Sequence, residues 1–288
     1  MKSKIIFNGK ILNQDDIQFN TIKRAINFGD GFFETIRIVN GDVLFIESHL
    51  KRIFKALKIL KISYSKNFNA EILKSKIKEL LLHNKIDSGG RVKIYFFRSG
   101  LGTYLPATNE ISFIIECFHL ENNLYQLNKK GFLVDIFYDY QKQITNLSVF
   151  KTSNSLLYVL ASIYANDNGL NDTLILNEKN YIIESSNSNI FLLLKDSIIT
   201  PALNSGCIAG IMRDEIIKII NFLDFKIIER DIIPEDLMNS KEIFLTNVIS
   251  GINWVGGYKK TRYYNTLSKK IIKELNNKIS YQLDLQEN

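Results

Sequence analysis

Strand-like and helix-like segments interleave along these 288 residues, which predicts a mixed α/β (α+β) protein of two domains. Three observations carry this. Two Asn-Gly pairs, Asn8-Gly9 and Asn40-Gly41, stand between short apolar runs, the pattern of a two-residue hairpin. Apolar residues recur at helical spacing at Leu50, Ile53, Phe54, Leu57 and Leu60. The length exceeds what a single core usually organises.

In order, strands are expected at 5–7 and 11–12, then at 32–39 and 43–45, followed by helices at 49–60 and 70–82 and buried strands at 92–97 and 111–118. Residues 121–129 are polar and without period, so they read as the linker between a small N-terminal domain (1–120) and a larger C-terminal one (130–288). Beyond it, strands are expected near 131–138, 173–177, 181–184, 189–194, 225–230 and 242–246. Helices are expected near 153–167, 211–222 and 265–283.

Composition narrows the function. Hydrophobic residues make up 45% and charged residues 23%, as in a soluble globular protein with room for an enclosed site. The apolar runs are only strand-length, so no membrane span is expected, and the N-terminus lacks the long apolar stretch of a secretory signal. Cys117 and Cys207 match no metal or redox spacing; they read as free thiols of a cytoplasmic protein, and no metal is expected. The net charge of +7 comes from scattered lysines on helix faces without a recognition motif, which argues against nucleic acid as a partner.

Four segments could carry chemistry. Lys151 follows an apolar stretch and precedes a helix for which Thr152 or Ser153 would be the N-cap; a partly desolvated lysine beside a helix start favours the neutral amine that a nucleophile needs. Ser205–Arg213 is a glycine-punctuated turn feeding a helix whose first amides could hold a phosphate, or simply a tight loop. Glu184 ends a short apolar strand, where a carboxylate could neutralise a ring nitrogen or merely face solvent. Arg52, on a helix after the FGDGFFET turn, suits bidentate phosphate binding or a solvated face. Taken singly, each fits an ordinary structural residue.

Their order changes the reading. FGDGFFETIRIVNG, HLKR, KTSN, IIESSNSNIF, TPALNSGCIAGIMR and LTNVISGINWV occur in the order seen in class-IV aminotransferases, and the resemblance runs from about residue 5 to residue 257. That family has the fold-type-IV architecture of D-amino-acid aminotransferase and uses pyridoxal 5′-phosphate (PLP). The resemblance implies that Lys151 binds the cofactor covalently and later moves the substrate proton. It implies further that Glu184 meets the pyridine nitrogen and that Arg52, the amides of Ile211 and Met212, and the Val248–Ile249 loop hold the phosphate. Asn154 and Asn189 fit the family pattern as supporting residues. A small amino-carboxylate substrate and a homodimer are implied as partners, with Phe33, Arg91 and Arg98 as candidate substrate contacts.

Within the family, GIMR and the TN…GI..V pattern look most like 4-amino-4-deoxychorismate lyase, which eliminates pyruvate to give 4-aminobenzoate. Phe33 and Leu156 stand where branched-chain enzymes commonly place tyrosines, while Thr103 stands where many lyases carry a second arginine. The alternative is an aminotransferase for branched-chain or D-amino acids using 2-oxoglutarate; a third reading keeps the fold as a non-catalytic binding protein.

Overall fold

In the computed structural model, which describes residues 3–66 and 68–287, the chain divides into two units. The first comprises Met1–Leu124 with Phe150–Asn154, the second Tyr125–Val149 with Ser155–Asn288.

The first unit is a six-stranded sheet in the order β2-β1-β6-β5-β3-β4, with β1 Lys4–Phe7, β2 Lys10–Asn13, β3 Gly31–Val39, β4 Asp42–Val43, β5 Gly90–Arg98 and β6 Ile111–His119. Both Asn-Gly pairs close two-residue hairpins, with Asn8 and Asn40 and their glycines all at positive φ. Phe32, Ile36 and Ile38 of β3 and Val92, Ile94 and Phe96 of β5 point to one face, where they pack with α2 (Ile46–Ile59) and α3 (Ala70–His83). The opposite face carries Phe33, Thr35 and Arg37, directly paired with Tyr95, Lys93 and Arg91. Alternation along two paired strands therefore separates an apolar core face from a cationic, aromatic one.

Three local expectations differ here. Phe45 is not strand; it adopts a left-handed conformation (φ 53°) immediately before α2, which starts at Ile46 rather than at 49. A helix over Phe19–Phe28 (α1) was not predicted: its N-cap Gln18 makes no capping bond, and only Gly29, left-handed at φ 58°, marks its end. Phe150–Asn154 joins this unit, although the expected boundary assigns it to the second. The cause is backbone pairing: Phe33 N–H donates to Lys151 O (2.9 Å), Ser153 N–H donates to Gly31 O (2.9 Å), and Thr152 bridges Phe32.

The second unit is a mixed nine-stranded sheet. Its strands are β7 Phe132–Lys142, β8 Asp172–Asn177, β9 Ile182–Ser185, β10 Asn189–Leu194, β11 Ser197–Thr200, β12 Lys226–Glu229, β13 Glu242–Asn247, β14 Gly251–Tyr258 and β15 Thr261–Arg262. The order is β12-β11-β10-β13-β14-β7-β8-β9, with β15 on β14. Helix α4 (Leu156–Asp167) packs on β7 and β8, while α5 (Ile211–Phe222) packs on β12, β13 and α7 (Thr266–Glu287); α6 is the short Pro234–Asn239. Strands β11, β14 and β15 and helix α6 were not predicted. They are short or, for β14, interrupted by Gly256-Gly257, so periodicity has little to act on. Helix α4 begins at Leu156 after the N-cap Ser155, not at 153, because the backbone of residues 151–153 is taken by β3. Lys151 thus precedes the first helical residue by five positions.

Among the described residues no helix is long and apolar enough to cross a membrane, and no group of His, Cys, Asp or Glu could hold a metal ion. Cys117 and Cys207 are buried free thiols.

The parallel pairing of β7 with β14 depends on two glycines. A Cβ on Gly131 would meet the backbone of Gly256 and lie 2.6 Å from Trp254 Cη2. Backbone cannot yield as a side chain can, so Gly131→Ala is expected to lower unfolding stability by about 1–3 kcal/mol, measured by denaturant melts against the unchanged chain.

Candidate active site

In the first unit, Lys151 is half-buried and its Nζ lies 5.2 Å from the centroid of the Phe33 ring. Lys93 Nζ lies 5.0 Å from the same ring and 4.4 Å from that of Tyr95. An aromatic face attracts each ammonium, which allows two cations to share one neighbourhood. Arg91 stacks on Phe118 (4.7 Å), and its buried Nε has no hydrogen-bond partner among the described residues. Arg37, opposite Arg91 in the register, donates through Nη2 to the carbonyls of Asn122 and Asn123.

Arg98 is differently placed. Its Nε and Nη2 donate to Asp30, Nη1 to Lys61 O and Asn109 Oδ1, and Nη2 also to Leu60 O. Arg24 holds the same Asp30 at 2.6 Å. With all its donors directed at protein acceptors, Arg98 ties the end of β5 to neighbouring loops. Asn154 packs its Oδ1 where a Cβ on Gly29 would stand, so it closes against a position that only glycine leaves open.

Arg52, on α2, donates through Nε to Glu34 Oε1 (2.7 Å) and through Nη2 to Oε2 (2.7 Å). His49, one turn earlier, places Nδ1 2.7 Å from Oε2. All three side chains are buried or nearly so. Burial alone would raise the Glu34 carboxyl; the Arg52 charge and the hydrogen bonds from His49 and Arg52 outweigh it and hold the group down at about 2. Burial, reinforced by the positive charges of Arg52 and Lys151, lowers His49 despite the Glu34 hydrogen bond. A neutral imidazole protonated at Nδ1 therefore faces an ionised carboxylate.

In the second unit Glu184, on β9, is 2% exposed and accepts three hydrogen bonds. Its Oε1 accepts from Lys142 Nζ (2.7 Å) and Tyr158 Oη (2.8 Å), and its Oε2 accepts from the Ile208 N–H (2.8 Å). Burial, and then the Glu184 charge and hydrogen bond, push the Tyr158 phenol well above its ordinary range, so it remains an O–H donor. The same burial and the Glu184 charge push the Cys207 thiol up to about 12, which removes it as a nucleophile.

Ile211 and Met212 open α5, with Gly210 as N-cap. Asn189 Nδ2 donates to Ile208 O (2.8 Å), and its Oδ1 occupies the place a Cβ on Gly210 would take. The turn is thus a cradle shaped by a side chain on β10, and the amides at the start of a 12-residue helix suit an anionic group. Val248 and Ile249 lie between β13 and β14. Asn247 Oδ1 accepts from the N–H groups of Ile249 and Ser250 (both 2.9 Å), its Nδ2 donates to Ser188 Oγ (2.9 Å), and Tyr125 Oη donates to Val248 O (2.7 Å).

The structure thus brings Lys151, Phe33, Arg52 and Arg91 into one unit, and Glu184, Ile211, Met212, Val248 and Ile249 into the other. Sequence reasoning gave no role to Glu34, His49, Lys93, Lys142, Tyr158 or Asn247. The first two and Asn247 lie inside segments already singled out, so buried-type polar residues there were the available signal.

Glu34 provides a check on this geometry. Its folded carboxyl is depressed from 4.5 to about 2, so its contribution is complete above pH 4.5 and is lost as pH falls towards 2. Unfolding free energy over that window is expected to drop by roughly 3 kcal/mol more in the unchanged chain than in Glu34→Gln, from the 1.36 kcal/mol carried by each unit of displacement; equal slopes in acid denaturant melts would contradict it.

Known proteins agree with this architecture. Over 86% of this chain and 82% of its own length, the branched-chain-amino-acid aminotransferase of Escherichia coli K12 is 24% identical. The aminodeoxychorismate lyase of Vibrio harveyi is 22% identical over 81% and 85%. The crystal structure of a branched-chain amino acid aminotransferase from Thermobaculum terrenum in its PLP form superposes with a TM-score of 0.84 at 17% identity, covering 99% of this chain and 96% of that one, which establishes the fold. A family model described as amino-transferase class IV matches residues 31–255, most of the chain. The chain belongs to the class IV amino-transferase family.

Proposed function

We propose that the chain is a PLP-dependent enzyme of amino-carboxylate substrates, and that its reaction is the elimination of pyruvate from 4-amino-4-deoxychorismate to give 4-aminobenzoate. The residues fit the cofactor. Lys151 supplies the amine that binds its aldehyde. Glu184 supplies a carboxylate for the pyridine nitrogen, already oriented by Lys142, Tyr158 and the Ile208 amide. Arg52, the amides of Ile211 and Met212, and the Val248–Ile249 loop supply the phosphate contacts. When bound, PLP supplies an electron sink for the carbon that bears the amine.

The observation that carries the lyase reading is the outward face of β3 and β5. Phe33, Tyr95 and Phe118 offer apolar surface for a six-membered ring, while Lys93 and Arg91 offer positive charge for its two carboxylates. Lys151, on the same Phe33 ring, would be the group that takes the proton from the amine-bearing ring carbon. Cleavage of the enolpyruvyl C–O bond, with its electrons on the oxygen, would make the ring aromatic and expel the enolate of pyruvate, whose methylene carbon takes up a proton, available from the protonated Lys151 amine, to give pyruvate. A second reading, amino transfer between an amino acid and 2-oxoglutarate, is favoured by the likeness to the E. coli branched-chain enzyme, and its acidic co-substrate would also suit Lys93.

A partner subunit is supported by α4. Leu156, Val159 and Ile163 are 69%, 51% and 50% exposed and spaced to form one apolar stripe, the kind of surface a second copy of the chain covers. Light scattering after size exclusion is expected to give twice the 33.2 kDa chain mass; a single-chain mass would remove the dimer.

Incubation of the purified chain with PLP and 4-amino-4-deoxychorismate is expected to release equal amounts of pyruvate and 4-aminobenzoate. Lys151→Ala should abolish that release while leaving the melting temperature unchanged. Amino transfer across a panel of L- and D-amino acids, with no 4-aminobenzoate formed, would replace the lyase by the second reading; full activity of Lys151→Ala would overturn both.

A further inference from the structure

We propose that Glu34 and His49 form a positioning pair that holds the Arg52 guanidinium for a phosphate monoester, the phosphate arm of the cofactor; this rests on the reading that Arg52 contacts that phosphate. Arg52 meets Glu34 along its Nε–Nη2 edge, at 2.7 Å for each nitrogen, and this bidentate pairing fixes the plane of the guanidinium and the direction of its Nη1 N–H bonds. A single carboxylate can still swing about its own side-chain torsions. The third donor, His49 Nδ1 on Oε2, removes that freedom.

The three residues are arranged for this purpose by the fold. His49 and Arg52 are one turn apart on α2, and Glu34 reaches them from the core face of β3. Nothing apolar about the position requires histidine. Its Nε2 is buried and without a hydrogen-bond partner among the described residues, a cost that an apolar side chain of similar size would avoid. What histidine adds at 49 is the Nδ1 donor to Glu34.

The prediction separates phosphate from the rest of the cofactor. Dissociation constants for PLP and for pyridoxal, which lacks the phosphate, are measured on the full chain by fluorescence and absorbance titration. His49→Leu is expected to weaken PLP about tenfold to a hundredfold, the range for hydrogen bonds to charged groups, and to leave pyridoxal within about twofold, since the pair acts only through the arginine assigned to the phosphate. His49→Asn, which keeps a nitrogen donor near the Nδ1 position, should restore most of the PLP affinity, and Glu34→Asp, which shortens the carboxylate's reach, should show the same phosphate-selective loss should His49→Leu fail to fold. Equal weakening of both ligands, or of neither, by His49→Leu or Glu34→Asp would overturn the positioning pair. Arg52→Gln separates the two levels. A PLP-selective loss there without one in His49→Leu refutes the pair and leaves Arg52 as the phosphate residue, whereas an unselective Arg52→Gln refutes both.

Discussion

Each unit is organised around a buried glutamate, and the cost of burying a carboxylate dictates the local arrangement of both. A charge removed from water is tolerated only where donors replace the lost hydration. Glu34 meets this with Arg52 and His49, and Glu184 with Lys142, Tyr158 and a backbone amide. For Glu34, on β3, both donors come from α2; for Glu184, on β9, they come from β7, α4 and the turn before α5. Satisfying one carboxylate therefore locks several elements in register, and the residues that do so become fixed points for chemistry.

The segment around Lys151 is fixed by a different device. Here the backbone does the anchoring. Phe33 N–H to Lys151 O and Ser153 N–H to Gly31 O extend the β3 edge by a few residues. Those bonds also set the side-chain neighbourhood, since Phe33 both donates its N–H to the Lys151 carbonyl and offers its ring to the Lys151 ammonium. Conversion of Lys151 to another residue type would thus leave the strand pairing in place.

How much of this was legible in the sequence follows from the range of the interactions. Helices α2, α3 and α5 and most of the longer strands announce themselves by period, and the Asn-Gly hairpins by turn chemistry. The side chains of the candidate site lay in ordered motifs. The donors that hold them did not: Lys142 is 42 residues from Glu184 and Tyr158 is 26 away, at no spacing that a helix or strand would flag. Arg98 illustrates the converse error of local reading. Expected among the substrate contacts, it has Asp30, Asn109 and two backbone carbonyls on its donors, partners distant in sequence that only tertiary structure reveals. The start of α4 was misjudged for the same reason, because a capping preference at 152–153 gave way to long-range pairing with β3.

The two glutamates also differ in a way that bears on reactivity. Glu184 has donors on both oxygens that are neutral or cationic, so Tyr158 and the Ile208 amide share the work with Lys142 and the cluster carries little excess charge. On the other side, Glu34 neutralises Arg52 while His49 stays uncharged under the combined influence of burial, Arg52 and Lys151. A protonated His49 would add a second positive charge beside Arg52 and within range of Lys151, raising the cost of the very cations that an anionic substrate needs. Lys151, Lys93 and Arg91 each lie against an aromatic ring on the outward face. Aromatic partners hold a cation without cancelling its charge, which is what a site for carboxylates requires.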